Sequence, residues 1–282
     1  MTGKILLFDI GGTNMRFGFS PDGKSIGAQR IVPTPQNYDD GLRAFVQVAT
    51  EVLAGVRPDA IAGGVAGSLS KDKSQIYNSP HLTNWSKKDF KKDIQKNFSV
   101  PVYLENDTAM VGLGEAAIGA GKAYSIVAYF TVSTGVNGVK IEDKKLSKNF
   151  LGYEIGHQII DYNATVSNIE FGRGELEDFI SGSAIQKRTG QSPLNINDEA
   201  FWLRAGQFLS IGLYNTILHW SPEILVLGGS LMNKIIFSQL KLDLSERLAS
   251  VYPETPRIEK SVLGEFGGLH GALVFTQGID LG

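Results

Sequence analysis

Residues 4–19, KILLFDIGGTNMRFGF, carry the local pattern from which the architecture can be read. Ile5 to Phe8 is a short apolar run, as in a strand buried on both faces. Met15 to Phe19 alternates, with Arg16 and Gly18 on one side and Phe17 and Phe19 on the other, as in a half-buried strand. Between them Asp9 closes the first strand, and Gly11 and Gly12 are expected to supply the positive backbone torsions of a tight connection. The segment therefore reads as a β-hairpin. Its turn has two readings: a simple chain reversal, or a cradle whose main-chain N–H groups approach a phosphate, with the Thr13 hydroxyl beside it and Asp9 facing a cation. A P-loop is excluded, because no lysine follows the glycines and a strand, not a helix, comes next.

Bulk composition narrows the partners. The chain has 282 residues, enough for two lobes around a cleft. Lys and Arg total 27 against 29 Asp and Glu, so no basic surplus exists to neutralise a nucleic acid. Cysteine is absent, which removes disulfides, thiolate catalysis and cysteine zinc sites. No apolar run reaches ~18 residues and the N-terminus lacks a signal-peptide pattern, so a cytoplasmic protein without a membrane partner is expected. Glycine is unusually frequent, at 33 residues, and falls in separate clusters; several loops therefore approach another backbone or a ligand closely.

Farther along, Asp39 to Val56 has helical spacing, Ala60 to Val65 reads as a buried strand entering the turn GGVAGSL, and KKDFKKDIQKNF places Phe90, Ile94 and Phe98 on one helical stripe. VPVYL, 100–104, is a further strand and Thr108 to Ala120 a helix, with END between them. Strands are expected from Tyr124 to Ile141 with TVSTGVNG at their bend. A core helix follows over Ala200 to Trp220, then a strand and glycine turn in PEILVLGGS and a last helix after GEFGG. Strands alternating with helices argue α/β, and the repeated strand-turn-strand unit argues against a simple dinucleotide-binding fold.

Three constellations carry chemistry. Asp107 stands where a strand ends and a helix begins, the place where ligands gather in α/β sheets; it is either a helix cap, with Asn106, or a general base. TVSTGVNG combines the Thr131, Ser133 and Thr134 hydroxyls with Gly135 and Gly138, as a plain turn or as a second phosphate wall. YEIGH offers Glu154 and His157, which together with Glu177 provide the acceptors and donors a polyol requires; their spacing is not that of a zincin.

The order FDIGGTN, GGVAGSL, NSPHLTNW, VPVYLENDTAMVGLGE, TVSTGVNG, GYEIGH, FGRGELEDFISGSAI, PEILVLGGS and FGGLHGALVF resembles the ROK family of sugar kinases and sugar-responsive repressors, of the actin-like ATPase superfamily, over nearly the whole chain. The resemblance implies a two-lobed α/β, ribonuclease H-like fold. Each lobe is a mixed five-stranded sheet flanked by helices, and the active site lies in the interlobe cleft. The implied lobes are residues 1–110, joined by the C-terminal helix at about 270–282, and residues 111–269. It implies ATP and Mg²⁺, with Asp9, Gly11, Gly12 and Thr13 as a first phosphate loop and Asp9 directed at Mg²⁺. Thr131, Ser133, Thr134 and Gly135 would form a second loop, with Gly228 and Gly229 along the adenosine and Gly267 and Gly268 near the lobe hinge. Asn106, Glu154, His157 and Glu177 would hold sugar hydroxyls with the backbone at Gly67, and Asp107 would take the proton of the attacking hydroxyl. A homodimer is suggested by the same resemblance.

Two departures stand out. The family commonly builds a zinc site from the histidine of the GH motif and three cysteines, and Asn168, Glu170 and Glu175 occupy those cysteine positions here. No structural zinc is expected, and the orientation of His157 is what this leaves unsupported. Ser133 and Asn137 also stand where the second loop usually has glycines. The function implied is a glucokinase-type hexokinase acting at the 6-hydroxyl of glucose, with an N-acetylglucosamine or N-acetylmannosamine kinase as the alternative. A non-catalytic sugar-sensing regulator is the alternative of another class, disfavoured by Asp107 and by a chain that starts directly at the first strand.

Overall fold

The structure, a computed structural model, describes residues 3–162 and 173–278. In chain order its first elements are β1 (Ile5–Ile10), β2 (Asn14–Ser20), β3 (Gln29–Pro33), α1 (Tyr38–Leu53), β4 (Ala60–Val65), β5 (Ser68–Leu69), β6 (Ile76–Asn78), α2 (Phe90–Phe98), β7 (Val102–Asn106) and α3 (Asp107–Ala117). There follow β8 (Ile126–Val132), β9 (Val136–Glu142), β10 (Lys145–Leu146), α4 (Leu176–Ile180), α5 (Gly182–Thr189), α6 (Glu199–Trp220), β11 (Ile224–Gly228), α7 (Phe237–Leu248), β12 (Arg257–Lys260) and α8 (Gly267–Gln277). Two compact units result: residues 1–123, 141–152 and 262–282 form one, and 124–140 with 153–261 form the other.

Two five-stranded sheets share one topology. Their orders are β3-β2-β1-β4-β7 and β10-β9-β8-β11-β12, so in each the first strand is central, its hairpin partner lies on one side and the fourth strand on the other. In the first sheet β1 pairs antiparallel with β2 and parallel with β4, which is parallel to β7. In the second, β11 is parallel to both β8 and β12. Both sheets therefore carry a tight turn between their first and second strands, at 11–13 and 133–135. This is the mixed α/β architecture the sequence led us to expect.

The opening strand is apolar throughout because both of its faces are covered. Leu6, Phe8 and Ile10 pack with α1 and α2, while Ile5 and Leu7 pack with Met110 of α3 and Leu269, Ala272 and Leu273 of α8. On the first face the rings of Phe8, Phe45 and Phe90 meet edge to face, with centroids 5.2 Å apart for Phe8–Phe45 and 5.6 Å for Phe45–Phe90. On the second, α3 and α8 touch backbone to backbone: a Cβ on Gly114 would lie 2.8 Å from the Gly267 carbonyl, and one on Gly271 would overlap that of Met110. Two helix boundaries fall short of the apolar pattern. α1 stops at Leu53, not Val56, because Ala54 and Gly55 both take positive φ. α3 ends at Ala117, three residues before the expected Ala120. In the second unit, α6 and the side chains of β8 and β11 share one large core, in which Leu209, Leu213, Phe130 and Leu225 are fully buried.

Candidate active site

In the first unit, Asp9 is the next-to-last residue of β1, opposite Arg16 of β2 and Gly64 of β4. Its carboxylate points to the α8 face and is almost wholly buried. Gly268 makes that possible: a Cβ there would sit 2.5 Å from Asp9 Cγ. Burial, reinforced by the charge of Asp107 and partly offset by Arg16, raises the Asp9 pKa to about 7. Arg16 Nη1 stands 3.7 Å from Asp9 Oδ2, and Arg16 Nε is buried without a hydrogen-bond partner among the described residues.

The turn after Asp9 is a hairpin, as its sequence indicates, but its glycines do not take the torsions expected. Neither Gly11 nor Gly12 has a positive φ. Gly12 is small because a Cβ would lie 2.8 Å from that of His81. The loop is held from outside: Thr34 N donates to the Thr13 carbonyl at 2.9 Å, and Thr34 Oγ1 to that of Gly11 at 2.8 Å.

Asp107 opens α3. Gly64 brings it close, since a Cβ at that position would meet Asp107 Cα at 2.7 Å. Asp107 Oδ1 accepts from Thr108 N at 2.8 Å, and burial holds its pKa above the usual carboxylate range against that hydrogen bond and the charge of His81. Asn106 is the helix cap: Oδ1 accepts from Ala109 N at 3.2 Å, and Nδ2 donates to the Gly67 carbonyl at 3.0 Å. The cap and functional readings of this pair are therefore not exclusive, because capping by Asn106 is what sets Asp107 on the first turn. Gly67 has φ 118° and would overlap the Asn78 carbonyl if it carried a Cβ. Lys73, from the β5–β6 loop, binds Glu105 at 2.7 Å. His81 and Arg16 are site residues that the sequence did not single out; each is an isolated residue in a segment whose pattern concerns other positions.

The second unit brings together the second set. In β8, Thr131 pairs with Gly228, and Gly229, at φ 96°, lies against Val132 so closely that a Cβ would overlap its backbone. The turn Ser133–Gly135 is pinned by the start of α5: Gly182 N donates to the Ser133 carbonyl at 2.8 Å and Ser183 N to that of Thr134 at 3.0 Å. Ser133 Oγ is 3.3 Å from Ser230 Oγ, and Asn137 turns away, its Oδ1 accepting from Gly138 N at 2.8 Å and its Nδ2 reaching Glu154 Oε2 at 3.5 Å. Glu177 is tied to this turn, because its Oε2 accepts from Val136 N at 2.8 Å. Glu154 and His157 are exposed. His157 Nδ1 is 2.6 Å from Glu175 Oε2, and that hydrogen bond, with the charges of Glu175, Glu177 and Glu154, raises its pKa. Asn168 and Glu170 lie outside the described residues.

The residues expected to serve nucleotide and sugar thus form two clusters, one in each unit: a buried acid pair beside a glycine turn, and a hydroxyl-lined turn joined to two carboxylates and an imidazole. The profile of the ROK family matches residues 6–279. This chain belongs to the ROK family. Among ROK relatives, the glucokinase of Thermotoga maritima is 23% identical over 304 residues, covering 95% of this chain and 96% of that one. An N-acetyl-D-glucosamine kinase of Escherichia coli is 27% identical over 296 residues, covering 94% and 96%. Among solved structures, the ROK hexokinase from Thermus thermophilus superposes with a TM-score of 0.81 at 25% identity, over 97% of this chain and 98% of that one. ROK membership makes the chain a sugar kinase or a sugar-responsive regulator. Among the described residues no helix is long and apolar enough to cross a membrane.

Proposed function

We propose that this protein transfers the γ-phosphoryl group of ATP to the 6-hydroxyl of a hexose, with glucose as the acceptor. The observation that carries this reading is the buried Asp9–Asp107 pair beside the 11–13 turn. Two carboxylates whose pKa values burial raises, the first also through the charge of the second, are costly to an apo protein at the C-terminal ends of parallel strands, and a cation-bound polyphosphate with a hydroxyl to deprotonate would use both.

Asp107 is the general base. A raised pKa brings a carboxyl group nearer the pH at which it both stays ionised and accepts a proton usefully. The acceptor's O–H proton passes to Asp107, the oxygen bonds to the γ-phosphorus, and the bond from that phosphorus to the bridging oxygen breaks to release ADP. Asp9 fits the requirement for a hard-oxygen ligand of Mg²⁺, which commonly takes one or two protein carboxylates plus phosphate oxygens; when bound, it would neutralise phosphate charge. Main-chain N–H groups of Gly12, Thr134 and Gly135, with the Thr13 and Thr131 hydroxyls, serve as neutral donors to the phosphates, while the Gly11 N–H donates to the Asn14 carbonyl at 2.9 Å and holds the turn. Gly228 and Gly229 leave room along the nucleoside. Asn106, the Gly67 backbone, Glu154, His157 and Glu177 receive the sugar hydroxyls. The cytoplasm, where ATP is abundant, is the expected compartment.

The test is ADP release with Mg-ATP against glucose, mannose, fructose, N-acetylglucosamine and N-acetylmannosamine. Asp107→Asn should lower kcat by about 10²–10⁴-fold while leaving sugar affinity nearly intact. Turnover on glucose that the variant loses supports the reading. Turnover confined to an N-acetylhexosamine moves the acceptor, and sugar binding without turnover on any acceptor favours a regulator.

A further inference from the structure

The orientation of His157 has a visible cause. Residues 158–161 and 173–176 lie side by side: Ile159 and Glu175 form an antiparallel bridge, Ile160 N donates to the Gly174 carbonyl at 2.8 Å, and Leu176 N to that of Gln158 at 2.9 Å. Gly174 has φ 76°, and a Cβ there would overlap the Asp161 carbonyl, so a glycine is needed for this approach. Asp178 Oδ2 accepts from Arg173 N at 2.7 Å and Glu175 N at 3.1 Å, fixing the backbone from which the Glu175 side chain leaves. Glu175 Oε2 then meets His157 Nδ1 at 2.6 Å.

A zinc ion bound as the family resemblance implies does not fit this arrangement. Its ligands would be His157 and three thiolates; the chain has no cysteine, and Glu175 takes the histidine's Nδ1. Among the described residues no group of three His, Cys, Asp or Glu side chains is placed to hold a metal. We propose that Glu175 is a positioning residue that does by hydrogen bonding what a metal would otherwise do: it fixes the plane and tautomer of His157, so that Nε2 faces the sugar. An ionised carboxylate only accepts, so Nδ1 carries the proton and donates it. Nε2, which bonds no group among the described residues, is then an acceptor when the ring is neutral and a donor when it is charged. Glu175 is held by its own backbone and not by sugar, so His157 is pre-organised before sugar binds. The inference rests on the reading of His157 as a sugar contact.

Calorimetry on the full chain, with the five sugars above as probes, tests it alongside ¹⁵N-histidine NMR of the sugar-free protein. Glu175→Gln should weaken sugar binding by about 10–100-fold, the loss typical when the outer partner of an oriented histidine is removed. The KM for ATP should be unchanged, Glu175→Asp should recover part of the affinity, and His157 should lose its Nδ1–H signature. Stripping metal with a chelator and restoring Mg²⁺ should leave sugar affinity unchanged. If wild type and Glu175→Gln bind sugar equally, Glu175 has no such role, although the kinase reading stands. If the wild-type spectrum shows the proton on Nε2, or zinc restores affinity lost to the chelator, the assignment is overturned without recourse to a variant. If His157→Ala binds sugar normally, or the wild type binds none of the five, the sugar-contact reading fails and takes the proposal with it.

Discussion

Replacing Asp9 with asparagine should stabilise the apo protein at neutral and higher pH while abolishing its use of Mg-ATP. The folded carboxyl titrates near pH 7 against 3.8 for its ordinary value. Between these values the native state binds a proton that the unfolded state does not, so native stability falls as pH rises through that window. Asparagine removes this pH-dependent cost. At pH 5 the unfolded carboxyl is ionised and the folded one neutral; at pH 8 both are largely ionised, and the native state bears the full penalty. At ~1.4 kcal/mol per pKa unit, and allowing about a unit of latitude in the folded value, the stability gap between variant and wild type should widen by about 1–3 kcal/mol from pH 5 to pH 8. The charge of Arg16, 3.7 Å away, is already among the causes that set the folded pKa, so its attraction to the ionised carboxylate is part of this pH-dependent gap. Urea unfolding of both proteins at the two pH values measures the gap directly. Adding Mg-ATP should reverse the ranking, because ligand binding stabilises only the protein that binds it. A gap that is the same at pH 5 and pH 8 would refute the reasoning, since it would mean that Asp9 ionises in the folded protein as it does in water.

Gly268→Ala should lose about 1–3 kcal/mol net and raise the KM for Mg-ATP, because its Cβ would lie 2.5 Å from Asp9 Cγ, whereas Gly267→Ala, whose nearest contact is 3.2 Å from Val111 Cγ1, should change stability by about 1 kcal/mol or less; paired denaturant melts distinguish them. Glu115 is fully buried and accepts from Val262 N at 2.9 Å, Leu263 N at 2.8 Å and Ala120 N at 2.9 Å, so Glu115→Ala should cost about 2–4 kcal/mol by the same assay. The His157 pKa is raised, so its pairing with Glu175 contributes stability that is fully present below pH ~6.5 and lost as pH rises through the folded value; the difference between wild type and Glu175→Gln should shrink across that range in pH-resolved melts.

Much of this was legible locally. Alternation in Met15–Phe19, the stripe of Phe90 and Ile94, and the apolar runs of β1, β4 and β11 are signals of period or length, and such signals survive without tertiary context. What the chain hid was contact between distant segments. Gly12 is small because of His81, Gly64 because of Asp107, Gly268 because of Asp9, and nothing in the local sequence of any of these glycines names its neighbour. Local rules therefore assigned positive torsions to Gly11 and Gly12, because a tight turn is the commonest reason for two glycines; close packing is another, and at Gly12 it prevails. Glu175 was hidden in a similar way: the sequence shows what it stands in place of, and only the pairing of 158–161 with 173–176 shows what it touches.

The shared strand order places two unlike turns at equivalent positions. Asp9 and Thr131 are both the next-to-last residues of the first strand of their sheet, and each faces a glycine of the fourth strand, Gly64 and Gly228. The backbone scaffold thus offers the same position twice, and the side chain decides its use. At the first, a carboxylate is buried next to a second one, Asp107, which on the proposed reading suits that turn to a cation and to proton transfer. At the second, a hydroxyl stands where the acid would be and the loop is tied to the start of α5, which leaves neutral donors suited to phosphate oxygens. Under the proposed phosphotransfer, a hydroxyl at the first turn would leave no cation ligand and a carboxylate at the second would oppose phosphate oxygens, so the difference in side chains between two equivalent positions is what that reading requires.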